Sequence, residues 1–165
     1  MDPQPTSFQR LRQGCEPLIR RILHFYWRFA RGATLGAFGM VIDEQGRVFL
    51  VKHSYVAGWH LPGGGVETGE TLRTALVREL KEEGNITVTG EPVLHGVFFN
   101  SRVSRRDHVA VFVVRDFRQD AAPTPDHEIV AHGFFGPDAL PPDTVRATRE
   151  RIAEVFEGRS VGEMW

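Results

Sequence analysis

Apolar residues recur along this chain with two different periods. From Pro17 to Arg31, Leu18, Ile22, Phe25, Tyr26 and Phe29 keep helical spacing, while Arg20, Arg21, His24, Arg28 and Arg31 take the other side. That pattern predicts a basic amphipathic helix ahead of the main domain, packed on its own domain, on a partner subunit as in a homodimer, or on an anionic membrane surface. After Gly32 the period becomes that of strands. Thr34–Ile42 and Arg47–His53 flank Asp43-Glu44-Gln45-Gly46, a polar turn ending in glycine, and predict a β-hairpin. Further strands are expected at Thr87–Thr89, Val93–Asn100 and His108–Phe117, with Ser101–Asp107 as a turn and Arg118–Asp126 as a loop. Helical spacing returns at Asp143–Glu157, through Val145, Thr148, Ile152, Val155 and Phe156.

The most informative stretch lies between the strands. A helix is predicted from about Glu70 to Glu83, with a start signal at Thr68-Gly69-Glu70 and an end at Gly84-Asn85, two residues that tolerate positive φ. Leu72, Ala75, Leu76 and Leu80 form its apolar stripe, but Glu79 and Glu83 fall on the same stripe and Glu82 at its margin. Like charges at such spacings repel by roughly 0.2 to 0.5 kcal/mol per pair, and a helix C-terminus disfavours negative charge. A compensating cation is therefore expected. Converging carboxylates suit Mg2+ or Mn2+, hard ions that prefer oxygen ligands, and Arg78 could hold one carboxylate in place. A solvated acidic helix end is the competing reading, and it fits poorly with carboxylates on the buried stripe.

Gly64, Glu70, Arg78, Glu79, Leu80, Glu82, Glu83 and Ile86 match the pattern G-x5-E-x7-R-E-U-x-E-E-x-G-U, with U an aliphatic residue. The stretch resembles the Nudix box. Asn85 stands where the family has its last glycine, and asparagine is the non-glycine residue that best tolerates the left-handed conformation there. The resemblance implies an α/β fold, an α/β/α sandwich with a mixed sheet, over residues 32–158, after an N-terminal segment 1–31 and before a tail 159–165. It also implies metal ligation by the carboxylates of Glu79, Glu82 and Glu83 and by the Gly63 carbonyl. Glu128 is implied as a further ligand, because Phe134–Pro141 is similar to the family's late strand and turn and an acidic residue before that strand reaches the metal in relatives. Arg78 would join the catalytic group, Glu70 would support it, and Glu83 or Glu128 would take the proton of an attacking water. The implied activity is Mg2+-dependent hydrolysis of the diphosphate in a nucleoside diphosphate linked to another moiety. A nucleotide-sensing or scaffold module without turnover is the alternative, disfavoured because the box carboxylates and arginine are intact.

Composition narrows the rest. With 165 residues, 41% hydrophobic and a net charge of −1, one globular domain with its own core is expected, and a general nucleic-acid binder is not, although capped RNA stays among the candidates. The lone Cys15 excludes an internal disulfide framework and suits a reducing cytoplasm. Met1-Asp2-Pro3-Gln4-Pro5 does not open like a signal peptide, and no apolar run is long enough to span a membrane. Pro62-Gly63-Gly64-Gly65 is not followed by Lys-Ser or Lys-Thr, so it is no P-loop. None of the seven histidines has a paired zinc spacing, though His53 and His60 flank the approach to the box. Tyr55, Trp59, Phe99 and Phe134 are the aromatic candidates for holding a base, and Arg102, with Arg105 and Arg106, could meet a phosphate or simply be solvated.

Overall fold

β1, Thr34–Val41, has both edges occupied, and this decides the topology. It pairs antiparallel with β3, Gly63–Gly65, and parallel with β6, Asp107–Val114, which pairs antiparallel with β5, Val93–Phe99. The result is a mixed four-stranded sheet in the order β3-β1-β6-β5. β2, Val48–His53, pairs instead with β8, Ile129–Phe135, and the short β4, Thr87–Val88, with β7, Phe117–Arg118. The computed structural model describes residues 32–124 and 127–165, together with Arg21, Leu23 and Tyr26. The basic helix expected at 17–31 falls almost wholly outside these residues, as does Asp126. The fold is that of the compact unit Thr34–Trp165.

Alternation along the strands builds two cores. Ala37 and Val41 of β1 with Phe49 and Val51 of β2 meet Ala75, Leu76 and Leu80 of helix α1, Leu72–Gly84. Met40 and Ile42, with Val48 and Leu50, meet Ile152 of helix α2, Arg146–Glu157. Strands between two helices are the expected sandwich. No helix among the described residues is long and apolar enough to cross a membrane.

Several local expectations need correction. β1 and β2 do not form a hairpin ladder. They share only the bridge Ile42–Val48, because β3 and β6 already hold the hydrogen-bonding edges of β1. The turn itself forms, with the Asp43 carboxylate accepting the N–H groups of Gln45 and Arg47 at 3.1 and 2.8 Å. The strand expected at His108–Phe117 breaks after Val114, and Phe117–Arg118 turns away to pair with Thr87–Val88, so Arg118 is strand and not loop. α1 starts at Leu72, capped by Thr71, whose hydroxyl accepts the Thr74 N–H at 3.1 Å. Glu70 therefore precedes the helix. α2 likewise starts later than expected, at Arg146, without a side-chain cap.

The last residues are tied to β5 and α2. The Phe99 N–H donates to the Glu163 carbonyl at 2.8 Å, the Trp165 N–H donates to Phe99 at 3.1 Å, and the Trp165 ring packs on Phe38 and Phe98. Buried Arg151 donates to the Met164 carbonyl and to Glu154, with its guanidinium 3.9 Å from the centre of the Phe98 ring.

Candidate active site

The acidic stripe of α1 faces the glycine run of β3. Glu83, 8% exposed, accepts the Gly63 N–H at 2.8 Å. Gly63 has φ +144, and a Cβ there would lie 2.4 Å from the Ala37 carbonyl oxygen, so only glycine fits. At Gly64 a Cβ would lie 2.5 Å from Glu79 Oε1. Two adjacent glycines thus bring a strand backbone into contact with two carboxylates on successive helical turns.

Arg78 gathers the remaining acids. Its Nε and Nη2 donate to the two oxygens of Glu70 at 2.9 and 3.1 Å, a bidentate pair. Nη1 donates to Glu79 at 2.7 Å and to Glu82 at 3.3 Å, and Nη2 also reaches the Gly65 carbonyl at 3.0 Å. Glu70 lies just before α1 and meets the acidic group only through Arg78 among the described residues. Its carboxyl is held below the usual range by Arg78 and by the Glu67 N–H. Glu79 shifts the other way, because burial outweighs the nearby guanidinium. Glu83 is pushed up to about 8, first by burial, against the pull of the Gly63 N–H, with the charges of Glu79, Glu128 and Glu82 adding to the rise. Arg78 makes no ion pair with Glu83 among the described residues. Nor do three acidic or histidine side chains there converge as a finished metal site.

Glu128 comes to the same place from the loop before β8. Ser54, directly after β2, donates its N–H to the Glu128 carbonyl at 2.9 Å and its hydroxyl to the His127 carbonyl at 2.7 Å. The Tyr55 hydroxyl donates to Glu128 Oε1 at 3.2 Å. Two groups that the motif does not contain therefore join the cluster. One is Tyr55, whose phenol is pushed up by burial and by the Glu128 charge. The other is His53, with Nε2 3.7 Å from Glu83 Oε1 and a buried Nδ1 that has no hydrogen-bond partner. Burial and His60 lower the His53 pKa. Its position at the end of a strand beside the glycine run was the only signal in the sequence.

The other candidates for substrate contact are spread over the fold. Trp59 packs edge-on against Phe135 in the α2-side core, and Phe134 packs with Phe49 and Phe117 in the α1-side core. Phe99 lies on β5 against His108, and Arg102 is exposed on the turn between β5 and β6.

A model of the NUDIX domain matches residues 32–156, which spans the strands, α1, all but the last residue of α2, and every acidic residue of the site. The chain belongs to the Nudix family. It is similar to a MutT-like protein of Streptomyces ambofaciens, 30% identical over 72% of this chain and 68% of that protein. Shorter matches include an 8-oxo-dGTP diphosphatase of Proteus vulgaris, 42% identical over 32% of this chain and 51% of that protein. An ADP-ribose pyrophosphatase of Methanocaldococcus jannaschii is 34% identical over 44% of each. Across such curated relatives the chain spans from about a third to two thirds of their length. Among solved structures, a MutT NUDIX hydrolase from Burkholderia pseudomallei superposes with a TM-score of 0.65 at 25% identity, covering 76% of this chain and 99% of that one.

The one departure from the Nudix box has a structural account. Asn85 is left-handed, φ 49 and ψ 31, and is the one non-glycine residue with positive φ among those described. The Ile86 N–H returns to the Leu80 carbonyl and the Asn85 N–H to Lys81, which closes the helix as a glycine would. Asparagine adds more. Its amide accepts Lys81 Nζ at 2.7 Å and donates to the Ala121 carbonyl at 3.0 Å, pinning a neighbouring loop to the end of α1.

Proposed function

We propose that this protein is a pyrophosphohydrolase that cleaves the diphosphate of a nucleoside diphosphate joined to another group, using Mg2+ or Mn2+. The observation that carries this reading is Glu83, a buried carboxylate beside Glu79 that, among the described residues, has one backbone N–H and a distant imidazole to offset its charge. The donor set fits a hard divalent cation, since it consists of oxygens and its most buried member, pushed up to about 8, is one whose ionised form added positive charge would favour. Glu79, Glu82, Glu83, the Gly63 carbonyl and Glu128 would hold the ion. Bound there, such an ion would supply positive charge against the diphosphate and would make a water more acidic.

The chain's own groups do the rest. Arg78 fixes Glu79 and Glu82 against Glu70, so these carboxylates keep one pose before any ligand arrives. The Gly63 N–H fixes one oxygen of Glu83 and leaves the other to be shared. Glu83 and Glu128 are the two groups able to accept the proton of the attacking water. Trp59, Phe99 and Phe134 remain the proposed contacts for a base and Arg102 for a phosphate, while the Tyr55 ring lies beside His53 with its hydroxyl on Glu128. The names of the relatives favour oxidised nucleoside triphosphates and ADP-ribose as first substrates to try.

The test is a panel of nucleotide sugars, dinucleotides, oxidised nucleoside triphosphates and capped RNA incubated with Mg2+, read for release of phosphate or nucleoside monophosphate. Turnover of at least one, abolished by Glu83→Gln, is expected. Inactivity across the panel with tight nucleotide binding would replace the hydrolase reading with that of a nucleotide sensor.

A further inference from the structure

An exposed carboxylate on a loop is a poor functional group unless something holds it, since fixing a long glutamate side chain costs rotamer entropy. Glu128 is such a residue. The two positions that follow β2 contact it twice and the residue before it once. The Ser54 N–H holds the Glu128 carbonyl, the Ser54 hydroxyl holds the preceding His127 carbonyl, and the Tyr55 hydroxyl holds the carboxylate itself. The β2–β8 register makes this meeting local. Its pairing shifts between Lys52 and His53, so that His53 sits opposite Ile129 and the next residues of each strand meet across the end of the ladder.

Tyr55 is 66% exposed, so burial is not its main contribution. Its ring leans on His53 with centroids 5.1 Å apart, and His53 in turn lies against Glu83. The hydroxyl thereby reaches Glu128 from a footing shared with the acidic helix. We infer that Ser54 and Tyr55 are positioning residues that clamp Glu128 toward Glu79 and Glu83, and that Tyr55 acts through its hydroxyl and not as a stacking surface for a base. The inference rests on the reading of Glu128 as part of the hydrolytic site.

The two roles of Tyr55 separate in one substitution. Tyr55→Phe keeps the ring and removes only the hydroxyl. With whichever panel substrate the parent enzyme cleaves, the clamp predicts kcat lower by about tenfold, as expected for loss of orientation without loss of the group itself, and KM unchanged. A stacking role predicts no change for Tyr55→Phe and a raised KM for Tyr55→Ala. Glu128→Ala should lower kcat further, and the double variant should equal Glu128→Ala alone, because the hydroxyl then has nothing to hold. Ser54→Ala should repeat the Tyr55→Phe effect in smaller measure. Equal kcat in parent and Tyr55→Phe, or additive losses in the double variant, would overturn the clamp.

A second measurement needs no turnover. The chain has two tyrosines, so in a Tyr26→Phe background fluorotyrosine labelling leaves one fluorine resonance, that of Tyr55. In metal-free protein Glu128→Ala should move that resonance toward the position of free fluorotyrosine. A resonance indifferent to Glu128 sinks the proposal even if every variant folds. A parent enzyme that cleaves nothing on the panel counts against the hydrolase reading alone, and the fluorine signal still decides whether the clamp exists.

Discussion

Two glutamates, one on each helix, are equally buried and opposite in chemistry. Glu83 and Glu154 are both 8% exposed. Burial pushes both upward, but Glu154 ends below the usual carboxylate range because it accepts His95 Nε2 at 2.8 Å, the Gly162 N–H at 2.9 Å and Arg151 Nη2 at 2.7 Å. Glu83 has one backbone N–H and three carboxylate neighbours, and ends at about 8. A carboxylate that serves the fold brings its cations with it. One that is buried among other acids does not, and burial alone does not distinguish them.

The largest effect that could break this contrast is on activity. Glu83→Gln should lower hydrolysis by about 10²-fold or more, in line with removal of a general base or metal-ligating group, and Glu154→Gln should leave kcat of the remaining folded protein near that of the parent. Steady-state rates on the panel substrate check both. Stability should reverse the order. Glu154→Gln leaves Arg151 without its buried partner and should cost about 3 kcal/mol in denaturant melts. Glu83→Gln removes an unfavourable charge, so metal-free protein should be as stable as the parent or more so. If Glu83→Gln were the destabilised variant and Mg2+ stabilised it as much as the parent, the contrast would fail.

The slope of stability with pH follows from the same pair. Glu83 binds its proton more tightly folded than unfolded, so its contribution is intact below about pH 4.5 and is lost as pH rises toward 8, by at most roughly 5 kcal/mol. His53, held neutral by burial, lowers stability only as pH falls below 6.5. Glu154 also weakens the fold on the acid side, as pH falls through its depressed pKa. Between pH 6.5 and 8.5, metal-free protein should therefore lose stability, Glu83→Gln should not show that loss, and Mg2+ should flatten the parent's slope. Thermal melts across that window, with chelator and with Mg2+, provide the measurement.

The smallest effect concerns the helix ends, both closed in the left-handed region, α1 by Asn85 and α2 by Gly158. Asn85→Gly keeps the backbone and loses two side-chain hydrogen bonds, for about 1 kcal/mol. Asn85→Val should cost more, since a β-branched residue at positive φ is strained. Chemical denaturation of both variants ranks them, and equal stabilities would remove this account of the cap.

Features written in a local period were legible in the sequence. Leu76, Leu80, Glu79 and Glu83 share a stripe because 3.6 residues make a turn, and the motif around them carried Arg78, Glu70 and the left-handed Asn85 along. Features that depend on distant partners were not. Nothing in Thr34–His53 says that β1 already has two neighbours, so the turn by itself predicts a hairpin. Arg151 and Glu154 are charged residues on an amphipathic helix, and it is distant partners, His95, Phe98, Gly162 and Met164, that make their burial favourable. Tyr55 showed itself as an aromatic ring, and its hydroxyl acquired a partner 73 positions away.

The strand order also bears on how the molecule forms. Only β5 and β6 pair as neighbours in sequence; β1 must find β6 across 73 residues, and Val48 must find Phe135. Local closure is entropically cheaper and faster, so the β5–β6 hairpin is the expected early structure, with β1 docking later and the β2–β8 ladder later still. The acidic site draws on β3, α1 and the ends of both β2 and β8. It comes into being only when the most distant contacts have closed, which would make divalent-ion binding a late reporter in refolding.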